Sequence, residues 1–439
     1  MYRRLILTFT IVLFAGYLYG QDTLNYPVID RYTYRYYTHK QWDKLIKLGN
    51  QSLRKNIDFY YLQVRMGIAY FEAKRYLKAI KFLENAYKTD NSNTVVQETL
   101  YWSYVYSFMY NDAARLYDNL DDAVKAKIDY KQHFVQTMSL NYSYGNNRNF
   151  NTLSNDKLLS ENAVYAERRV LKNEHVFIFD LLQPVGNGIF ISHNLSLINL
   201  NYQKTISDFV NKDLQVDLKT SQKQYHIQAA IPLGKRWLLS PATTLLWGYV
   251  QDYVLPTPNG TNTSPRVNNN FTKFLFSSTI NKTWARWGNQ INVSISNLDS
   301  ISNFQLGNRV NIFPFQNKKL ELSADFQLKS DTNRNPTIVK TFLLTTHFKY
   351  FSVYGFYTLG NIHNFSEMNG LFVYNQNETI TTQFGGGVSV YLNKLQINVN
   401  LIQQQLTDSY VLHENTGSDT EKNYKFDVLL IKGGLLWQF

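Results

Sequence analysis

The sequence predicts an α-helical segment followed by an antiparallel, membrane-spanning β-barrel of about 14 strands. Three observations predict it. The hydrophobic period is that of helices up to about residue 131 and becomes two from His133 onward. The strand segment divides into an even number of stretches long enough to cross a bilayer. The connections between these stretches alternate between tight and long, sorted by parity, as in a barrel with turns on one side and loops on the other.

The N-terminus reads as a secretory signal over residues 1–20. Arg3 and Arg4 make its basic start, Leu5 to Phe14 its apolar core, and Leu18-Tyr19-Gly20 a cleavage site before Gln21. The chain has 439 residues, no cysteine and a formal net charge of +12. The lack of cysteine excludes thiolate metal sites, cysteine nucleophiles and a lipid anchor at a new N-terminus. Aromatics reach 15%, with 33 Tyr and 28 Phe, while mean hydropathy is negative. Alternating lipid-facing and lumen-facing residues produce that combination. No stretch after the N-terminus is long and apolar enough for a membrane helix.

Residues 21–132 form the expected helical domain. Met66-Gly67, Tyr70, Ala79, Leu83 and Ala86 fall at the spacing of a crossed helix pair. Gly67 and Ala79 let two backbones approach, and Tyr70 and Leu83 fill the space beside them. Trp42, Leu45, Leu48 and Ser52 sit one 34-residue period earlier; Leu100, Tyr104, Ala113 and Tyr117 sit one period later. This pattern resembles tetratricopeptide repeats. Asn91 departs from the family's closing proline and Tyr101 from its glycine. The resemblance implies a short solenoid that binds peptides or proteins. Residues 31–90 carry 13 Lys or Arg against 5 Asp or Glu, so a basic face suits an acidic client or anionic headgroups as well as it suits plain solvent.

Residues 133–439 form the expected barrel. The strands are placed at 133–144, 173–183, 188–203, 218–232, 236–251, 271–284, 288–298, 302–314, 318–329, 338–350, 351–362, 378–393, 394–408 and 423–439. Long polar loops are expected at 145–172, 204–217, 252–270, 330–337, 363–377 and 409–422; the short connection 299–301 breaks the rule. The clearest alternation runs from Leu320 to Lys329. It puts Leu322, Ala324 and Phe326 toward lipid and Glu321, Asp325 and Lys329 toward the lumen, because a charge facing hydrocarbon at mid-depth costs roughly 2–4 kcal/mol.

The last strand, Lys425 to Phe439, sets Leu429, Ile431, Leu435, Trp437 and Phe439 on one face. Lys432, Gly434, Trp437 and Phe439 stand where outer-membrane barrels carry their terminal assembly signal, and the strand resembles theirs. That resemblance implies the outer membrane as location, with the lipid bilayer and the barrel assembly machinery as partners and the helical domain in the periplasm.

The eight histidines, His39, His133, His175, His193, His226, His347, His363 and His413, have no metal-binding spacing. No GxSxG elbow occurs, and Gly385-Gly386-Gly387 lies inside a strand rather than before a helix, which reads as close packing or curvature. No enzyme activity, cofactor, metal or nucleic-acid partner is expected. Signal, helical repeats and barrel together resemble the architecture of surface lipoprotein assembly modulators, of YaiO-like proteins and of the exporters of cellulose and poly-N-acetylglucosamine. By that resemblance the protein exports or assembles a protein or polysaccharide client; the alternative is a passive porin or structural barrel docked to periplasmic partners through its repeats.

Overall fold

The computed structural model describes residues 25–439 except 129–132, 160–162, 209–212, 256–265, 299–300, 332–334, 416 and 418. The expected signal segment lies outside the described residues, as do parts of the loops expected at 145–172, 204–217, 252–270, 299–301, 330–337 and 409–422. The chain divides into two compact units between Tyr104 and Val105.

The first unit is helical: α1 (Tyr26–Thr38), α2 (Trp42–Arg54), α3 (Tyr60–Glu72), α4 (Tyr76–Thr89) and most of α5 (Thr94–Val105). Asn25 caps α1 by accepting from the Val28 amide, with a proline in the first turn. The pair α3–α4 packs tightly because Gly67 has no side chain: a Cβ there would fall 2.6 Å from Leu83 Cδ2. Tyr70 stacks on Phe82 at 5.4 Å, and Ala79, Leu83 and Ala86 are buried in the same seam. The second unit opens with α6 (Tyr110–Tyr117) and α7 (Asp122–Ile128). Helices begin at Tyr26, Tyr60 and Thr94 and, in the second set, at Trp42, Tyr76 and Tyr110; each set steps by 34 residues.

The barrel is closed and antiparallel, with 14 strands, as the alternation predicts. Its wall runs β1 (Thr137–Asn147), β2 (Ala163–Gly186), β3 (Ile189–Asp208), β4 (Leu214–Gly234), β5 (Trp237–Tyr253), β6 (Arg266–Thr283), β7 (Trp287–Ser296), β8 (Asn303–Ile312), β9 (Leu320–Asp331), β10 (Thr337–His347), β11 (Phe351–Ile362), β14 (Thr379–Leu392), β15 (Leu395–Glu414) and β16 (Asp419–Gln438). A short pair, β12 (Phe365–Glu367) and β13 (Phe372–Tyr374), stands apart from the wall. A helix, α8 (Phe150–Asn155), interrupts the β1–β2 connection. The last strand closes the ring on the first, Gln438 opposite Thr137 and Leu435 opposite Leu140, and the Phe439 amide donates to the Gln136 carbonyl at 3.2 Å. Every wall strand has a hydrogen-bonded neighbour on both sides, which is what permits a sheet to sit in hydrocarbon.

The outer face of the mid-wall is apolar and exposed: Phe274, Phe276, Ile291, Val293, Leu322, Phe326, Val399, Leu401, Ile431 and Leu435 all point out. Aromatics crowd its turn end. Trp284 and Trp287 stack at 4.0 Å, Phe348 and Phe351 at 4.5 Å, and Trp437 and Phe439 are exposed at the end of the last strand. An apolar belt with an aromatic border is the surface of an outer-membrane barrel.

Two expectations are corrected. The stretches 204–217 and 409–422 are mostly strand rather than loop, and strand also enters 145–172 and 252–270: β2 already starts at Ala163, β3 reaches Asp208, β4 starts at Leu214, β6 starts at Arg266, and β15 and β16 run to Glu414 and from Asp419. Their polar residues mark an outer face in water, not a loop. The stretch 363–377, expected as an outward loop, instead turns into the lumen.

Candidate functional site

The residues that turn inward form a hairpin. Its arms are β12 and β13, with Phe365 opposite Tyr374 and Glu367 opposite Phe372. The turn Met368–Gly370 needs a left-handed backbone: Asn369 has φ 59° and Gly370 φ 88°. Gly370 also has no room for a side chain, since a Cβ would lie 2.5 Å from Leu275 Cδ2 on the barrel wall.

The wall holds the tip by uncharged groups. The Asn369 carboxamide is satisfied on both sides. Its Oδ1 accepts from Thr279 Oγ1 at 2.9 Å and Asn292 Nδ2 at 3.0 Å, and its Nδ2 donates to Gln228 Oε1 at 2.9 Å and the Ser240 carbonyl at 2.8 Å. The carbonyls of Asn369, Gly370 and Leu371 accept in turn from Ser277 Oγ, Thr244 Oγ1 and Gln224 Nε2 at 2.6, 2.8 and 2.6 Å. Lower on the arm, Gln305 reads Ser366 as a strand partner would. Its Nε2 donates to the Ser366 carbonyl at 3.2 Å, and its Oε1 accepts from the Ser366 amide at 2.9 Å and hydroxyl at 3.0 Å. Groups from β4 to β8 thus converge on one hairpin.

The base of the hairpin rests on charge and apolar contact. Lys329 Nζ donates to the His363 carbonyl at 2.5 Å and lies 3.7 Å from Asp331. Phe365 is fully buried in a cluster with Tyr202, Val339, Ile362, Ile380, Phe426 and Leu430. Tyr202 donates to Glu378 at 3.2 Å, and Tyr374 to Glu367 at 3.2 Å. Glu367, on the hairpin and outside the wall, has its carboxyl pushed up to about 7 by burial, with Asp325 adding to the rise and Tyr374 and Arg309 opposing it.

Of the residues singled out in the sequence, Asp325 and Lys329 are buried on the inner side of β9, while Leu322 and Phe326 are exposed on the outer side. Glu321 is half-buried. Asp325 does not sit in a charge ladder with its own strand neighbours. Its Oδ2 accepts from both Nε and Nη2 of Arg309 on β8, at 3.0 and 2.7 Å. Lys432 is on the inner side of β16 with its ammonium 5.2 Å from the Phe372 ring, so it touches the hairpin; Gly434 lies beside Asn141, and Trp437 and Phe439 point outward. Gly67, Tyr70, Ala79, Leu83 and Ala86 belong to the α3–α4 seam. His226 is buried inside, against Thr244 Oγ1 at 2.9 Å, and His193 pairs with the Tyr225 hydroxyl at 2.7 Å. Gly386 of the glycine run faces Gly355 across β11–β14. Among the described residues no group of three or more His, Asp or Glu could hold a metal ion.

Both ends of the wall are also crossed. At the loop end, β2 and β15 pair directly, Leu412 opposite Ala166 and His413 opposite Tyr165, although neither is the other's neighbour in the ring. At the turn end, Phe108 packs on His347 of β10 with ring centroids 4.7 Å apart. Asn111 of α6 donates to the Gly188 and Ala230 carbonyls at 2.9 and 3.1 Å, and Asp118 accepts from the Asn187 amide at 3.0 Å. The β2–β3 turn and β10 lie on opposite sides of the ring, so the arm 108–118 spans the mouth.

Sequence reasoning missed the cradle. Gln224, Thr244, Ser277, Asn292 and Gln305 are ordinary polar residues on the wet side of alternating strands. The signal that could have found their partner is the Met368-Asn369-Gly370 turn inside an otherwise long connection.

No family model matches the sequence, and no curated protein matches it. Solved structures resemble it in outline. The P. putida toluene transporter TodX aligns with a TM-score of 0.45 and 5% identity, over 74% of this chain and 92% of its own. A Pseudomonas aeruginosa FadL homologue aligns at 0.42 and 9%, over 76% and 98%. A bacterial polysaccharide outer-membrane secretin aligns at 0.34 and 8%, over 70% and 100%. Scores and identities this low say nothing of ligand or direction.

Proposed function

We propose that this protein is a gated outer-membrane conduit that exports or assembles a protein or polysaccharide client, which its N-terminal helices receive in the periplasm. The observation that carries the reading is the hairpin 363–378, held in the lumen by a neutral hydrogen-bonded tip. A plug that is meant to stay put is best anchored by apolar burial. This one is apolar at its base, around Phe365, and along one arm, where Val373 packs in a cluster with Leu246, Leu275 and Leu298; its tip makes contacts that water can replace at little net cost, each such bond being worth about 0.5–1.5 kcal/mol. A hairpin anchored at one end and exchangeable at the other is a gate. A passive porin is the weaker reading, because the occupied lumen and the crossed mouths oppose free diffusion.

The helical part supports a receiving role by its 34-residue helix spacing, which is that of tetratricopeptide repeats. Such repeats dock clients and rarely carry out chemistry, so the protein is read as a conduit rather than an enzyme.

The reading is tested in planar bilayers. Wild-type protein is expected to conduct little and a variant with residues 364–377 replaced by a short Gly-Ser linker to conduct strongly. Equal conductance would remove the gate. In intact cells, labelling of a cysteine placed at Lys422 but not of one placed at Lys81 sets the helices on the periplasmic side; the opposite pattern inverts the protein.

A further inference from the structure

The cradle around Asn369 recognises an amide, and it does so without charge. This inference rests on the conduit reading and deepens it. Each of three successive main-chain carbonyls, Asn369 to Leu371, takes one donor from the wall. The side-chain carboxamide of Asn369 meets two donors at its oxygen and two acceptors at its nitrogen. The wall therefore sorts the two ends of an amide. A sugar hydroxyl is donor and acceptor at one atom and has no use for that sorting. A hydrocarbon would leave every one of these groups unpaired, and an ion would find no countercharge among them. Gln224 adds a second observation. Its Nε2 is bonded to the Leu371 carbonyl, while its Oε1 is buried without a hydrogen-bond partner. A donor and a free acceptor side by side fit the C=O and N–H of one peptide unit, and the hairpin fills only the first.

We propose that the cradle is a binding site for an uncharged peptide segment of a transported client, occupied at rest by the chain's own Asn369–Leu371. Client and hairpin compete for the same donors and acceptors, so arrival of the segment releases the tip.

The test uses the full chain with N369L, which removes four hydrogen bonds from the tip, and N369S, a milder change that keeps the assay available if the first variant does not assemble. Heat-modifiable mobility confirms a folded barrel in each. Two quantities are read: binding of fluorescent acetyl-Asn-Gly-Leu-amide by anisotropy, and bilayer conductance. The capped peptide is expected to bind at least about tenfold more tightly than acetyl-Leu-Gly-Leu-amide or maltotriose, and to lose about tenfold when N292L is added, the size expected for one or two lost hydrogen bonds. Selective binding without a rise in conductance sustains the peptide site and refutes the gate. A rise in conductance with the three probes bound alike, or maltotriose bound best, overturns the peptide site and leaves the gate standing. No binding to either folded variant overturns the proposal.

Discussion

The two halves of the barrel wall have opposite polarity. Along β16, Tyr424, Phe426, Val428 and Leu430 point inward at the loop end and are buried, while Asn423 and Lys425 between them face out. Past Leu430 the sides exchange: Ile431, Leu435 and Trp437 face out, and Lys432 and Gly434 face in. The same exchange occurs in β4, where Val216 and Leu218 are buried inside but Gln222, Gln224 and His226 take over the inner face lower down. The loop half is built like a water-soluble barrel around an apolar core, the turn half like a membrane barrel around a polar lumen. The difference teaches that each face answers to its own solvent. Above the bilayer the outer face meets water, so apolar side chains are most stable inside. Within the bilayer the outer face meets hydrocarbon, and the inner face is released to hold hydrogen-bonding groups.

That contrast can be broken by four measurements. The largest effect is expected in the loop half. Phe426→Ala should destabilise the refolded barrel by about 3–5 kcal/mol through lost burial and a cavity, whereas Leu435→Ala, facing lipid, should stay within about 1 kcal/mol. Urea titration in bilayers reads both, and equal costs would erase the distinction. Next comes a charge on the outer face. Leu322→Arg should cost roughly 2–4 kcal/mol in the belt, while Val411→Arg, outward at the loop end, should be close to neutral. If Val411→Arg is as harmful, the belt reaches higher than the polarity exchange indicates. A smaller effect is expected in the lumen. Arg309→Ala strips Asp325 of its ion-pair partner and should cost about 1–3 kcal/mol, with Asp325→Asn in the same chain restoring most of it. Failure of the second change to rescue would show that the ion pair is not what matters there.

The smallest effect concerns pH. Glu367 on the hairpin is raised by burial to about 7. A carboxyl whose folded value is raised binds its proton more tightly when the hairpin is seated. Its contribution is therefore complete at acid pH and declines as pH rises through about 7. Conductance should increase modestly between pH 6 and 8, around that pKa. Glu367→Gln should flatten the rise, and an increase toward acid would reverse the sign and exclude Glu367 as its source.

How much of this was legible beforehand follows from what a period of two encodes. Alternation depends only on the pleat, so the 14 strands and their order along the chain could be read from residues such as Leu322 and Ser323, or Val399 and Asn400. The helix spacing was legible for the same reason, since it is local. Alternation does not say which face is inside. Where lipid sets the outer face the choice follows from the charges, as at Asp325 and Lys329. Where water bathes the outer face it does not, so Val216 and Leu412 lay in stretches that passed for polar loops. The partner of a charge was not legible either: Asp325 has Glu321 and Lys329 on its own strand, yet register with β8 gives it Arg309. Least legible was the hairpin. The Met368-Asn369-Gly370 turn hints at a hairpin within 363–377, but nothing local sets that hairpin inside the wall rather than in solvent. Its place is decided by hydrogen-bonding groups contributed by β4 to β8, up to 147 residues away in sequence, which only the closed wall brings together.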